Sequence, residues 1–206
     1  MIKAILFDMD GVLIDAKDWH YEALNDALAL FGMEIGRDAH LSTYDGLPTR
    51  TKLEMLTGTR GLPRRLHSVI NQVKQKRTAE IAIQRCKPTF NHAFALSRLR
   101  DDGMKMAVCS NSIRKTIELM MELSDLSQHL DLIVSNEDVS KAKPDPEMYL
   151  KAMSELGVQP HETLILEDNE HGIQAARASG AQVLVIGTPD DVEYARIKQA
   201  MAEAVS

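Results

Sequence analysis

The opening residues constrain the fold most. Ile2, Ala4, Ile5, Leu6 and Phe7 form an apolar run too continuous to alternate, the pattern of a strand buried on both faces of a parallel sheet. The run ends abruptly in Asp8-Met9-Asp10-Gly11, which sets two carboxylates at the C-terminal end of the strand. Ligands bind at that end in open α/β sheets. Neighbouring carboxylates repel unless a proton or cation lies between them, and hard oxygen donors suit Mg²⁺. Taken alone, Asp10-Gly11 also reads as a simple turn after a strand.

Three later segments repeat the theme. The apolar strand 105–109 runs into Ser110-Asn111-Ser112 and a helical pattern, so a hydroxyl and free amides gather at a helix start, where anions bind. Lys143-Pro144-Asp145-Pro146 places a lysine just before a proline suited to the first position of a helix. Thr163 to Leu166 leads into Glu167-Asp168-Asn169 and a further helix that stops at Gly180.

The order Asp-x-Asp-Gly, Ser-Asn, Lys-Pro, Glu-Asp resembles the haloacid dehalogenase-like superfamily. It is similar to the branch with a cap inserted after the first strand, which includes phosphoglycolate-phosphatase-like and β-phosphoglucomutase-like enzymes. The resemblance spans nearly the whole chain. It implies a Mg²⁺-dependent phosphatase acting on a small phosphorylated metabolite, a sugar phosphate among the options.

Composition agrees with such an enzyme. A chain of 206 residues can hold one substantial core and a small accessory domain, and 44% hydrophobic content argues against disorder. The net charge of −6 gives nucleic acid or an anionic membrane no general attraction, so local cations must capture any phosphate. Cys86 and Cys109 are too few for a disulfide framework, and Cys109 reads as a buried thiol. With no apolar run near membrane-span length and a first strand that begins at once, the cytoplasm is the expected compartment. A monomer or weak homodimer is expected.

Roughly ninety residues between the first strand and Lys105 read as almost wholly helical, more than a simple crossover needs. Asp15 is expected to cap a helix carrying Leu24, Ala27, Leu28 and Phe31, with Gly32 past its end; Thr49 to Leu56 forms a second helix, and Pro63 opens a long third. This predicts a helical cap at 15–87, with hinges near 14–18 and 85–90, inserted into a core of 1–14 and 88–206. The remainder alternates: helices at 91–101, 113–123, 146–156, 170–179 and 190–204, and strands at 105–109, 132–135, 163–167 and 182–186. The fold class is therefore α/β, a doubly wound parallel sheet with a small helical domain after the first strand.

Roles follow from the resemblance and from phosphoryl-transfer chemistry, in which positioned charge supplies most of the catalysis. Asp8 is the expected nucleophile, and Asp10 the acid and base for the leaving oxygen and the water. Asp8, Asp10 through its main-chain carbonyl, Asp168 and Glu167 are the candidate metal ligands, with Asp168 favoured over Glu167. Ser110 and Asn111 are expected at the phosphate, with Lys143 compensating its charge. His20, Arg50 and Lys76 are the candidate substrate contacts from the cap, and His20 reads equally well as a packed histidine.

Departures narrow the activity. Ala16 stands where relatives often carry a hydroxyl near the acid/base group, which disfavours a phosphosugar mutase, the alternative enzyme. Asp10 and Asp168 together argue against dehalogenation. Phosphonate hydrolysis needs a cap lysine as an amine nucleophile, for which Lys52 is conceivable, but that branch lacks the second aspartate. A phosphometabolite-binding protein without turnover is the remaining alternative, and no motif has been lost to favour it.

Overall fold

The computed structural model describes residues 1–204; residues 205 and 206, the end of the expected core segment, lie outside them. Strands β1 (Ala4–Phe7), β2 (Lys105–Cys109), β3 (Leu132–Val134), β4 (Thr163–Glu167) and β5 (Gln182–Val185) form one parallel sheet in the order β3-β2-β1-β4-β5. Phe7 is in register with Val108 on one side and Leu166 on the other, so β1, β2 and β4 end nearly level. From β1 the chain builds β2 and β3 outward on one side, then returns to place β4 and β5 on the other. That reversal opens a crevice at the C-terminal ends of β1 and β4.

Both sheet faces are covered, which explains why β1 has no polar positions. Ile5 and Phe7 pack into the cluster holding Leu96 and Leu99 of α5 (Phe90–Asp101), Ile117 and Met120 of α6 (Arg114–Leu123) and Ile197 of α9 (Tyr194–Glu203). Ala4 and Leu6 face the opposite cluster, with Tyr149 and Met153 of α7 (Glu147–Leu156) and Ala175 and Ala176 of α8 (Glu170–Ala178).

Between β1 and β2 the described elements before α5 are helical: α1 (Lys17–Ala29), α2 (Arg37–Ala39), a π turn over His40–Tyr44, α3 (Thr49–Arg60) and α4 (His67–Arg85). They enclose an apolar cluster of their own, including Leu24, Leu28, Leu53, Leu56 and Ile70. Each such side chain contributes about 1.5–3 kcal/mol by leaving water, so this segment has a real core despite its charged surface.

Several boundaries differ from expectation for identifiable reasons. Asp15 does not cap α1: it is exposed, and Ala16 occupies the cap position with no side-chain bond. The first helix stops at Ala29, short of Phe31. Pro63 precedes a 3₁₀ turn at Arg64–Leu66, and α4 begins only at His67. The last helix begins at Tyr194 because Asp191 accepts the amides of Gly187 (3.0 Å) and Thr188 (2.9 Å), closing the preceding residues into a turn. Cys86 and Cys109 are buried, free thiols, pushed up by burial to about 11 and about 12.

Candidate active site

Lys143 organises the crevice. Its ammonium donates to Asp8 Oδ1 (2.6 Å), Glu167 Oε1 (2.6 Å) and the Cys109 carbonyl (2.8 Å), which uses all its donors. Burial acts to lower this ammonium, but Asp8 and Glu167 outweigh it and hold it above the ordinary lysine range. Glu167 is fully engaged as well: Oε1 also accepts from the Tyr149 hydroxyl, and Oε2 accepts the Asp168 amide at 3.2 Å. A Cβ on Gly172 would lie 2.0 Å from Glu167 Oε1, so α8 can approach this carboxylate only with glycine there.

Asp10 takes a different set of partners. Its Oδ1 lies 3.0 Å from His20 Nε2, its Oδ2 accepts from Ser112 Oγ at 3.3 Å, and His20 Nδ1 lies 3.1 Å from Lys74 Nζ. A protonated lysine can only donate, so His20 accepts at Nδ1 and gives its Nε2–H to Asp10, which assigns the tautomer. Burial acts to raise the Asp10 carboxyl, but His20, Lys74 and Ser112 together hold it below its usual value.

An acidic cluster lies beside this chain. Ligand oxygens of Asp8, Glu167 and Asp168 all lie within 4.8 Å of one another. Asp168 Oδ1 is buried with no partner among the described residues, while Oδ2 faces Lys17 Nζ at 2.5 Å. Burial, then Glu167, raises the Asp8 carboxyl well above normal against the pull of Lys143; burial raises Asp168 too, against Lys17. Crowded hard oxygens with an orphaned atom fit a divalent cation such as Mg²⁺. The Asp10 carboxylate is not in this cluster, so its candidacy rests on the main-chain carbonyl.

Ser110 is buried and its Oγ accepts the Ser112 amide at 3.1 Å. Asn111 spends its side chain on the backbone, donating to the Gly46 carbonyl (2.9 Å) and accepting the Lys143 amide (3.1 Å). Asn169 Nδ2 donates to Asp45 Oδ2 at 3.1 Å. Through these bonds the loop before α3 is tied to the sheet ends.

The space enclosed is a cavity of about 500 Å³, with Asp8, Asp10, Ser110 and Lys143 on the sheet side and Lys52 and Lys74 on the helical side. His20 lines it, and so does Arg50, which is solvent-exposed. Lys76 is not brought in: it is exposed and absent from the lining, whereas Lys74 is buried there. At about 100° per residue, two positions along α4 face nearly opposite directions. Lys74, Lys17 and Ser112 escaped the sequence reading. Lys74 had a usable signal, since it falls on the helical stripe of Ile70, Thr78 and Ile81 that faces inward.

A doubly wound sheet with these carboxylates at its switch point is the ground plan of a hydrolase superfamily, and residues 5–186 match the family model for haloacid dehalogenase-like hydrolases; the chain belongs to that family. It is similar to the phosphorylated carbohydrates phosphatase of Thermotoga maritima, 28% identical with 88% of this chain and 83% of that protein covered. The phosphoglycolate phosphatase of Aquifex aeolicus is 29% identical over the same shares. Among solved structures, the β-phosphoglucomutase of Clostridium difficile has the same fold, with a TM-score of 0.85 at 20% identity, covering 100% of this chain and 99% of that one.

Proposed function

We propose that this chain is a Mg²⁺-dependent phosphatase that removes phosphate from a small phosphorylated metabolite by way of an aspartyl phosphate. The observation that carries the reading is the convergence of Asp8, Asp10 and Lys143 on one cavity at the switch point, with Asp168 beside Asp8 in the carboxylate cluster. The phosphatase relatives support it.

In this scheme an Asp8 oxygen attacks phosphorus as the ester bond to the organic group breaks, and Asp10, which takes up a proton from solvent as the anionic substrate binds beside it, passes that proton to the leaving oxygen. Water then attacks the aspartyl phosphate, Asp10 takes a proton from it, and the phosphorus–Asp8 bond breaks to release inorganic phosphate. His20 aims the Asp10 carboxyl through the bond at 3.0 Å. Lys143, fixed by three acceptors, compensates the phosphoryl charge, and Ser110 lines the same cavity. Asp8 and Asp168 would hold Mg²⁺, which supplies Lewis-acid charge stabilisation when bound. The helical segment 15–87 acts as a cap over the core of 1–14 and 88–206, excluding water. Among the described residues no helix is long and apolar enough to cross a membrane.

The test is release of inorganic phosphate from a metabolite panel with Mg²⁺, with Asp8→Asn expected to be inactive. Equal activity in that variant rejects the nucleophile, and faster conversion of a hexose 1-phosphate to its 6-phosphate than release of phosphate replaces hydrolysis with mutase chemistry.

A further inference from the structure

Two ammonium groups on the helical wall exceed what one transferring phosphoryl group requires. Lys52 on α3 is 7% exposed and Lys74 on α4 is 6% exposed, and both line the cavity. Each lies on the buried stripe of its helix, Lys52 beside Leu53 and Leu56. Lys74 is used by His20. The Lys52 amide donates to the Pro48 carbonyl at 3.2 Å, but the Lys52 ammonium has no hydrogen bond or ion pair among the described residues.

The nearest carboxylates do not satisfy Lys52. Asp45 accepts from Asn169, and Asp10 is taken by His20 and Ser112. Both attract Lys52 only at longer range, and burial dominates, pushing its ammonium down to about 8; burial and then Lys52 itself push Lys74 to about 8. A buried cation without a partner is strongly unfavourable. On the opposite wall Lys143 already serves the phosphoryl position. The cavity, about 500 Å³, has room for a small sugar bisphosphate or phosphorylated acid.

We propose that Lys52, with Lys74 beside it, binds a second anionic group of the substrate, a carboxylate or second phosphate on the organic part, so that acidic phosphoesters are selected over neutral ones. The proposal rests on the phosphatase reading of the same cavity.

Binding separates the two. With Mg²⁺ and the Asp8→Asn protein, calorimetric Kd values are measured for 3-phosphoglycerate against glycerol 3-phosphate, and for fructose 1,6-bisphosphate against fructose 6-phosphate. In at least one pair the acidic member binds 10-fold or more tightly, and the responding pair identifies carboxylate or phosphate. Adding Lys52→Met brings that ratio to within 2-fold, Lys52→Arg retains a preference, and Lys115→Met, at an exposed position of α6, leaves the ratio intact. A ratio near one in both pairs with Lys52 present overturns the proposal, as does a preference that survives Lys52→Met. Failure of the phosphatase reading shows separately, as no phosphate release by the wild-type protein from any member of the metabolite panel.

Discussion

Lys143 Nζ and Asp8 Oδ1 lie 2.6 Å apart in a setting where both groups are almost wholly removed from water. The same ammonium neutralises Glu167 at 2.6 Å. Lys143→Met therefore strands two buried carboxylates, and the protein is expected to lose about 3–5 kcal/mol of stability at neutral pH. Phosphate release falls at least 100-fold, by about the scale of losing one charged transition-state contact. Urea unfolding and a phosphate assay check both; an unchanged midpoint refutes the assignment.

Mg²⁺ is expected to stabilise the fold independently of turnover. Charge crowding at Asp8 and Asp168 is relieved by a cation, so the melting temperature rises with Mg²⁺, equivalent to about 2.7 kcal/mol at a hundredfold excess over Kd. Asp168→Asn flattens that dependence. A thermal melt across a Mg²⁺ titration decides it.

His20→Leu removes the donor that orients Asp10 while leaving the nucleophile in place. We expect kcat to fall about 10- to 100-fold, less than the full loss of an acid/base group, with KM changing little. Steady-state kinetics give the split, and a KM-only effect would contradict the orienting role.

Lys52 makes stability depend on pH. Burial pushes its ammonium down to about 8 in the folded protein, from 10.5 in the unfolded chain. Between those values the unfolded chain holds a proton that the native state lacks, so this group's contribution to stability improves as pH rises through that window. At pH 7 its cost is on the order of 3 kcal/mol. Lys52→Met is thus expected to raise stability at pH 7, with the gain shrinking toward pH 10. Asp45, Asp10, Lys74 and His40 are the charged or titratable neighbours to hold constant. Denaturant unfolding at pH 7 and 9.5 measures the difference, and a pH-independent gain would be inconsistent with it.

Gly172→Ala should be costly although the residue is helical. The new methyl would meet Glu167 within 2.0 Å, forcing the carboxylate off Lys143 and Tyr149. A loss of about 1–3 kcal/mol is expected from overpacking, accompanied by reduced phosphate release. Unaltered unfolding and activity would show that α8 has room to shift.

The strands were legible because β1 is apolar without alternation and each later strand ends in chemically active residues. Asp8, Asp10, Ser110, Lys143 and Asp168 all flank strand ends or a helix start, positions that sequence marks well. The helical wall was harder to read. Lys76 and Lys74 differ only by rotation about α4, and charge alone does not say which faces inward; the burial of Ile70 and Ile81 does. Asp15 has good capping chemistry, yet the chain leaves β1 through a tight turn in which Ile14 N and Leu13 N both bond the Met9 carbonyl, and the helix starts after Ala16. The Lys17–Asp168 pair joins residues so distant in sequence that only the sheet order brings them together.

The chain crosses from β1 into helices α1 to α4 before α5 returns it to the sheet at β2, so the two walls of the cavity are drawn from different structural stock. In the proposed reaction, a single replacement on the inward side of α3 alters which compounds are admitted while the carboxylates and Lys143 at the strand ends keep their arrangement.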